Sequence, residues 1–364
     1  MVQLIHIAPE LPPTVGGVAD YTAILSKRIV EVTNRAVEPI LIHAGKEAVN
    51  AIDVAHPVED LGGQCSSNDL SGVIARLHRE SDIPAMVLLE YSGYGYSGRG
   101  APFWLVQGLR RGCNRRGIPL VTIFHELYAN SYKPWEAQFW AMPVQRYVAT
   151  ELASISDGLM ANWDAAAQWL KRQVDGQTVR MSPTFSNVGE PMENREYKDR
   201  QPYAVCFGGA AKKNELFEES GIALTNILQK EGVDRIVDIG PSSSKYARAQ
   251  IGLPVEEKGI LSGEAVSSFL RDASLGLLNY PLHCLKKSGV WASYAAHGVP
   301  TLLAAKEQDI EGLENGRHYL LLDEQRLDAD NLDEISKAAY EWYWKEARSQ
   351  RAAQRVLAFV SELV

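Results

Sequence analysis

The feature that most restricts what this chain can fold into is a regular exchange of short apolar runs with longer amphipathic stretches. "QLIHIA" (3–8) reads as a buried strand. The stretch after it, "ADYTAILSKRIVEV", sets Val18, Tyr21, Leu25, Ile29 and Val32 at helical spacing. "EPILIHA" (38–44), "AMVLLEY" (85–91) and "PLVTIFHE" (119–126) read as further strands. "NDLSGVIARLHRES" and "APFWLVQGLRRGCNRRG" are the helices between them, and "GLMANW" (158–163) and "TVRMSPTF" (178–185) close the series. Such alternation implies a parallel sheet covered on both faces.

The pattern then stops. "SNVGEPMENREYKDRQPY" (186–203) is polar, carries two prolines and has neither period, so a linker is expected there. A second series follows: "YAVCFGG" (203–209), a helix from about Glu215, "RIVDIG" (235–240), the helix "GEAVSSFLRDA", "SLGLLNYP" (274–281), the helix within "KKSGVWASYAAHGVP", and "PTLLAA" (300–305). The tail from "DEISKAAYEW" onward reads as helical. At 364 residues two domains are expected. They are placed at 1–190 and 191–345, with a terminal helix, 346–364, crossing back to the first. Two doubly wound domains facing each other would put the carboxyl ends of both sheets on one cleft.

Composition narrows the function. The formal charge of −8 disfavours nucleic acid as a partner, since neutralising phosphates requires a clustered basic face. Cys65, Cys113, Cys206 and Cys284 stand far apart with no C-x-x-C, so neither zinc nor a disulfide framework is expected. Free thiols suit a reducing cytoplasm. "MVQLIHIAPELPP" lacks the basic and apolar regions of a signal peptide, and no run approaches a membrane span.

Three places carry candidate chemistry. Gly16-Gly17 follows the first strand and opens the first helix, where a bare backbone and unpaired amides suit an anion; Asp20 lies in the first turn. A tight turn after "PELPPT" is the plainer reading. His125-Glu126 ends a strand and would aim into the cleft, with His125 bonding or polarising a hydroxyl and Glu126 serving as acid or base. A packed histidine is the structural alternative, and the other seven histidines, His6 among them, default to structural roles. The second half twice places strand, glycine, lysine and helix in succession. These are Gly208, Gly209, Lys212 and Lys213, then Lys287, Ser288, Gly289 and Val290, with Ser288 also the expected N-cap. Lysines at a helix start oppose its dipole by about 0.3–1 kcal/mol each, a penalty that a bound anion would reverse.

"GGVADYT" after the first strand, "FHELY" midway, "SNVGEP" at the junction and "SGV…A…HGVPTLL" near the end resemble, in order and spacing, the GT-B glycosyltransferases. The chain looks most like the retaining, nucleotide-sugar-dependent family 4 (glycosyl transferases group 1), over nearly its whole length. The resemblance implies that Gly16 and Gly17 lie against the donor phosphates, that His125 sits by the transferred sugar, and that the amides of Ser288 to Val290 hold the diphosphate. The family's E-x7-E glutamates fall on Leu285 and Ser293 and are absent. Its Gly-Arg step is Gly208-Gly209 here. Donor identity and anomeric outcome therefore stay open.

The expected activity is transfer of a hexose from a nucleoside-diphosphate sugar, UDP-linked in the commonest case, to a glycan or lipid-linked acceptor in cell-surface polysaccharide synthesis. No cofactor or metal is expected, lysines and helix amides taking the metal's part at the leaving phosphate. The expected location is cytoplasmic, with peripheral contact at the inner membrane face through "YKPWEAQFW" (132–140) and "LRRGCNRRG" (109–117). A sugar-nucleotide epimerase of the same fold and a non-catalytic nucleotide-sugar-binding subunit are the alternatives.

Overall fold

The computed structural model describes residues 2–14, 16–129, 133, 135–306, 308–322 and 329–364, with the backbone alone for 329–330. Tyr132 and Pro134 of the expected membrane-contact stretch lie outside the described residues. The chain divides into two units, Met1–Ser182 with Ser349–Val364, and Pro183–Arg348.

In the first unit, β1 (Val2–Ala8), β2 (Val37–His43), β3 (Val58–Asp60), β4 (Ala85–Tyr91), β5 (Leu120–Phe124), β6 (Gly158–Ala161) and β7 (Thr178–Met181) form one sheet. Its order is β3-β2-β1-β4-β5-β6-β7 and every pairing is parallel. The connecting helices are α1 (Gly17–Val32), α2 (Ser67–Arg79), the single turn α3 (Gly93–Tyr96), α4 (Phe103–Gly112), α5 (Ala137–Ile155) and α6 (Asp164–Lys171). β4 is buried at all seven positions, as an uninterrupted apolar run in a parallel sheet requires. The α1 stripe lies as its spacing predicts, with Tyr21, Leu25 and Ile29 buried.

The second unit contains β8 (Gln201–Phe207), β9 (Arg235–Ile239), β10 (Val255–Gly259), β11 (Ala273–Asn279), β12 (Thr301–Ala304) and β13 (Leu320–Leu321). They are ordered β10-β9-β8-β11-β12-β13, again all parallel. Its helices are α7 (Ala210–Lys230), α8 (Lys245–Arg248), α9 (Gly263–Asp272), α10 (Gly289–Ala296) and α11 (Ala329–Trp342). A π turn at Tyr343–Ala347 leads to α12 (Ser349–Leu363), which belongs to the first unit. There Arg28 donates to Ser349 Oγ (2.8 Å) and Arg180 stacks over the Phe359 ring at 3.9 Å.

The polar segment 186–203 is not a free linker but part of the second unit. Ser186 N donates to Tyr343 Oη (2.9 Å), and Tyr340 Oη donates to the carbonyls of Pro191 and Met192. Arg200 is buried there, and its guanidinium is met by carbonyl and amide oxygens. It donates to the carbonyls of His297 (2.8 Å) and Ala273 (3.0 Å) and to Asn194 Oδ1 (3.0 Å). Burial pushes its pKa down to about 10. Arg200 is thus satisfied by carbonyl and amide oxygens, while Glu193, Arg195, Glu196, Lys198 and Asp199 stay exposed, which is why the sequence shows no apolar period.

Arg200→Ala leaves several buried acceptors unpaired, each costing about 1–3 kcal/mol. We expect at least ~2 kcal/mol of destabilisation in the urea unfolding of the second unit, with Arg200→Lys recovering only part because one ammonium cannot span the carbonyls.

Candidate active site

In a doubly wound sheet the strand order reverses at one point, and the crevice there is open because its flanking connections leave in opposite directions. In the second unit this point lies between β8 and β11. Tyr294 of α10 spans it from below: its hydroxyl lies 3.2 Å from Val205 O and 3.1 Å from Leu277 O, and accepts from Phe207 N (3.1 Å). Gly276 is needed beside that ring, because a Cβ would come within 2.8 Å of it.

A cavity of about 200 Å³ sits at the carboxyl ends of these strands. It is lined by Gly208, Gly209, Lys212 and Lys213 on one side and by Lys287, Ser288, Gly289 and Val290 on the other. All eight donor-site residues predicted in the second half are therefore brought together. Gly208 has φ +129, a backbone that side chains disfavour. Gly209 caps α7 without a side chain, so the first-turn amides of that helix face the cavity side uncapped. At α10, Ser288 Oγ accepts from Trp291 N (3.1 Å), and the Ser288 amide is committed to Leu285 O (2.9 Å). The amides of Gly289 and Val290 are the ones that helix geometry leaves for a ligand. A Cβ on Gly289 would meet nothing within 4 Å.

The lysines differ from expectation. Lys213 is buried and ion-paired with Asp238, and it also donates to Ile239 O (3.1 Å). Asp238 is fully buried and accepts in turn from Ser243 N (3.0 Å) and Ser243 Oγ (2.6 Å). Lys212 pairs with Glu215 at 2.6 Å. The anions that offset these two cations at the start of α7 are therefore internal. The E-x7-E positions are also absorbed by the fold: Leu285 is buried, and Ser293 Oγ donates to Gly289 O (2.7 Å).

The first unit reverses its strand order between β1 and β4. Strand register puts His6 opposite Leu88 and Glu90 opposite Ile123, so His6, Glu90 and His125 share one face. Glu90 is fully buried and accepts from both imidazoles, His6 Nε2 at 2.8 Å on Oε1 and His125 Nε2 at 2.6 Å on Oε2. His6 Nδ1 is 2.8 Å from Ser26 Oγ on α1, and the Tyr21 ring meets His125 edge-on at 4.8 Å. Burial alone would raise the Glu90 carboxyl; the hydrogen bonds and charge of the two histidines outweigh it and hold Glu90 below the usual carboxylate range. Burial raises Tyr21, and the Glu90 charge adds to that. Both imidazoles thus have their Nε2 proton fixed toward Glu90, which leaves His125 Nδ1 as the nitrogen able to face a substrate. Glu126, half-buried, accepts from Ser92 Oγ (3.4 Å).

Gly16 caps α1 in an extended conformation, and Gly17 opens the helix where a Cβ would meet nothing within 4 Å. Asp20 donates its amide to Gly16 O (3.1 Å). The space beside Gly16 is taken by Glu10, whose Oε2 would lie 2.8 Å from a Cβ there. The Glu10 carboxylate therefore borders Gly16, while the space beside Gly17 is open.

Sequence reasoning missed Glu90, His6 and Asp238. Each lies inside an apolar strand, and a single polar residue at an inward position of such a strand is the signal that was available. An Asp-x-Asp triplet does occur, at Asp328-Ala329-Asp330, where Asp328 and the side chains of 329–330 lie outside the described residues. Among the described residues no group of three or more His, Cys, Asp or Glu could hold a metal ion. A larger hollow of about 1020 Å³ opens at the amino-terminal edge of the first sheet, near Gln3, Lys27 and His56. It contains none of the predicted residues and no helix N-terminus, so the smaller cavity is the better site.

No family profile matches the sequence, and no curated protein matches it. Solved structures do match over nearly the whole chain. The Anabaena protein HepE, solved with UDP and glucose, has a TM-score of 0.64 at 12% identity, covering 99% of both chains. An alpha-glucosyltransferase solved with UDP-glucose and DNA containing an abasic site gives 0.63 at 12%, again over 99% of both. A putative UDP-N-acetylglucosamine 2-epimerase from Listeria monocytogenes gives 0.62 at 14%, over 98% of this chain and 95% of that one. The fold is GT-B.

A carboxylate with a depressed pKa contributes stability that is full above its unfolded value, about 4.3, and is lost as pH falls through the folded value. Glu90→Gln should therefore flatten the loss of stability below about pH 4.3 and cost roughly 1.5–3 kcal/mol at neutral pH. Urea midpoints measured across pH check both, and an unchanged acid slope would count against an ionised Glu90.

Proposed function

We propose that the protein is a glycosyltransferase that uses a nucleoside-diphosphate sugar. The observation that carries this reading is the convergence of two helix N-termini, bare glycines and Lys287 on one cavity at the β8/β11 switch point. Oriented amides and a cation suit a diphosphate. As the bond between the anomeric carbon and the β-phosphate oxygen breaks, charge grows on the leaving diphosphate. Donors already aimed at it stabilise the transition state more than the ground state. Lys213, neutralised by Asp238, braces the start of α7, while Lys287 reaches the phosphate. Binding of UDP compounds by HepE and the alpha-glucosyltransferase supports UDP as the nucleotide.

Under this reading the first unit takes the acceptor. His125 receives or holds an acceptor or donor hydroxyl through Nδ1, with Glu126 next to it in sequence and Asp20 in the first turn of α1 as the further candidate carboxylates. Membership of glycosyltransferase family 4, hexosyl transfer with retention, a glycan or lipid-linked acceptor, and independence of metal and cofactor complete the proposal. The order and spacing of the motifs support them. Epimerisation of a sugar nucleotide is the second reading, favoured by the likeness to the putative 2-epimerase and by the missing glutamates at Leu285 and Ser293.

A titration of nucleoside diphosphates and their sugars tests the site. Gly289→Val introduces a side chain into open space, so folding stability should hold while UDP affinity falls at least about tenfold, or 1.4 kcal/mol. Unchanged affinity in that variant would remove the cavity from the donor site. Among turnover assays, diphosphate release that needs an acceptor supports transfer, and release with a free epimer supports the second reading.

A further inference from the structure

One face of the first unit serves no step described above. On α5, Trp140, Val144 and Tyr147 recur at i, i+4 and i+7 on the outward side, 70%, 43% and 55% exposed. Phe103, 45% exposed at the start of α4, meets Tyr147 at 6.2 Å between ring centroids. Trp135, just before α5, is 80% exposed. Isolated apolar residues on a surface are ordinary, but a contiguous patch of large ones marks a contact site. The two helices lie side by side, since Arg110 of α4 pairs with Glu151 of α5 at 2.7 Å.

Charge is segregated to the same region. Residues 99–155, through the end of α5, carry seven Arg and Lys against three Glu, a local +4 in a chain whose total is −8. Arg99, Lys133 and Arg146 are exposed near the rings, while Arg115 and Arg116, also exposed, lie at the far end of α5, where Asn114 donates to Ile155 O. Of the three acids, Glu136 is offset by Lys133 at 3.4 Å, Glu151 by Arg110, and Glu126 is half-buried.

We propose that this aromatic and basic face of α4 and α5 seats the protein on an anionic bilayer surface. Large rings sink to the headgroup boundary while flanking cations meet anionic lipid, each cation near the surface contributing about 1 kcal/mol. The chemistry disfavours other occupants. Pro143 and Val144 give a sugar hydroxyl nothing to bond, and two copies of a face carrying Arg99, Lys133 and Arg146 repel each other. The helix is not a span: no described helix is long and apolar enough to cross a membrane. The inference deepens the proposed function, because it fits an acceptor that is itself anchored in lipid and is delivered from this face toward His125. The binding itself does not depend on that reading.

The test is cosedimentation of the full chain with vesicles of phosphatidylglycerol and phosphatidylcholine in equal parts, and with phosphatidylcholine alone. Binding should require the anionic lipid and weaken with added salt. Trp140→Glu and Tyr147→Ser should each reduce partitioning by about tenfold or more. Both residues are exposed, so melting temperature and UDP affinity should stay at wild-type values. Loss of UDP binding by the wild-type protein with vesicle binding intact would defeat only the glycosyltransferase reading. The membrane proposal is overturned by equal binding to both vesicle types or by wild-type partitioning of both variants. Capture by immobilised glycan without vesicle binding, or a solution dimer that Trp140→Glu dissociates, would overturn it as well.

Discussion

All described pairings within the two sheets are parallel, and everything chemical in this molecule follows from that. A parallel strand must be followed by a crossover, and a crossover helix starts where its strand ended. The carboxyl edge of each sheet therefore collects helix N-termini with their unpaired amides. At the β8/β11 reversal two of these starts, α7 and α10, border one cavity. A setting that suits an anion is thus a consequence of topology before any side chain is chosen. What the sequence adds is the removal of side chains at Gly208, Gly209 and Gly289, which keeps the amides reachable.

The two switch points carry a related electrostatic arrangement. Each unit holds a fully buried carboxylate on an inner strand near its switch point: Glu90 on β4, between two imidazoles, and Asp238 on β9, one strand from the gap, between Lys213 and Ser243. A buried charge is tolerated only when its lone pairs are met, and here both oxygens of each carboxylate are engaged. The result is a fixed frame. Glu90 orients an imidazole, and Asp238 holds an ammonium beside the cavity. Neither group has to be organised when a ligand arrives, and that is where preorganised sites gain their advantage.

The fold was legible because long apolar runs and amphipathic helices speak plainly. β1, β2, β4, β5, β8, β9 and β11 lie where the runs predicted them, within two residues at each end. The short or charged edge strands β3, β10 and β13 were silent: "VEEKG" owes its pairing to β9, not to its own pattern. The helix α5 went unread as well, since Pro143 breaks its signal and its outward face is apolar. Of the site, the glycine and lysine positions could be named from local rules about strand ends. Their partners could not. Asp238 is 25 residues from Lys213 and Glu90 is 35 from His125, and only strand order brings them together. The polar stretch 186–203 misled for the opposite reason: much of it is solvated as composition suggests, and the few contacts of Ser186, Arg200 and Tyr340 that tie it to the second unit leave no pattern.

The return of α12 to the first unit has a consequence for synthesis. Gly158 has no side chain where a Cβ would come within 2.4 Å of the Phe359 ring, so β6 is shaped to receive a helix made about 200 residues later. On the ribosome, residues 1–182 emerge with that seat vacant and its apolar floor wet. The second unit is then threaded out in full before the missing piece arrives. The earlier-made half is thus the later one to be finished, and a nascent chain stalled anywhere before Phe359 presents the cell's chaperones with an uncovered sheet.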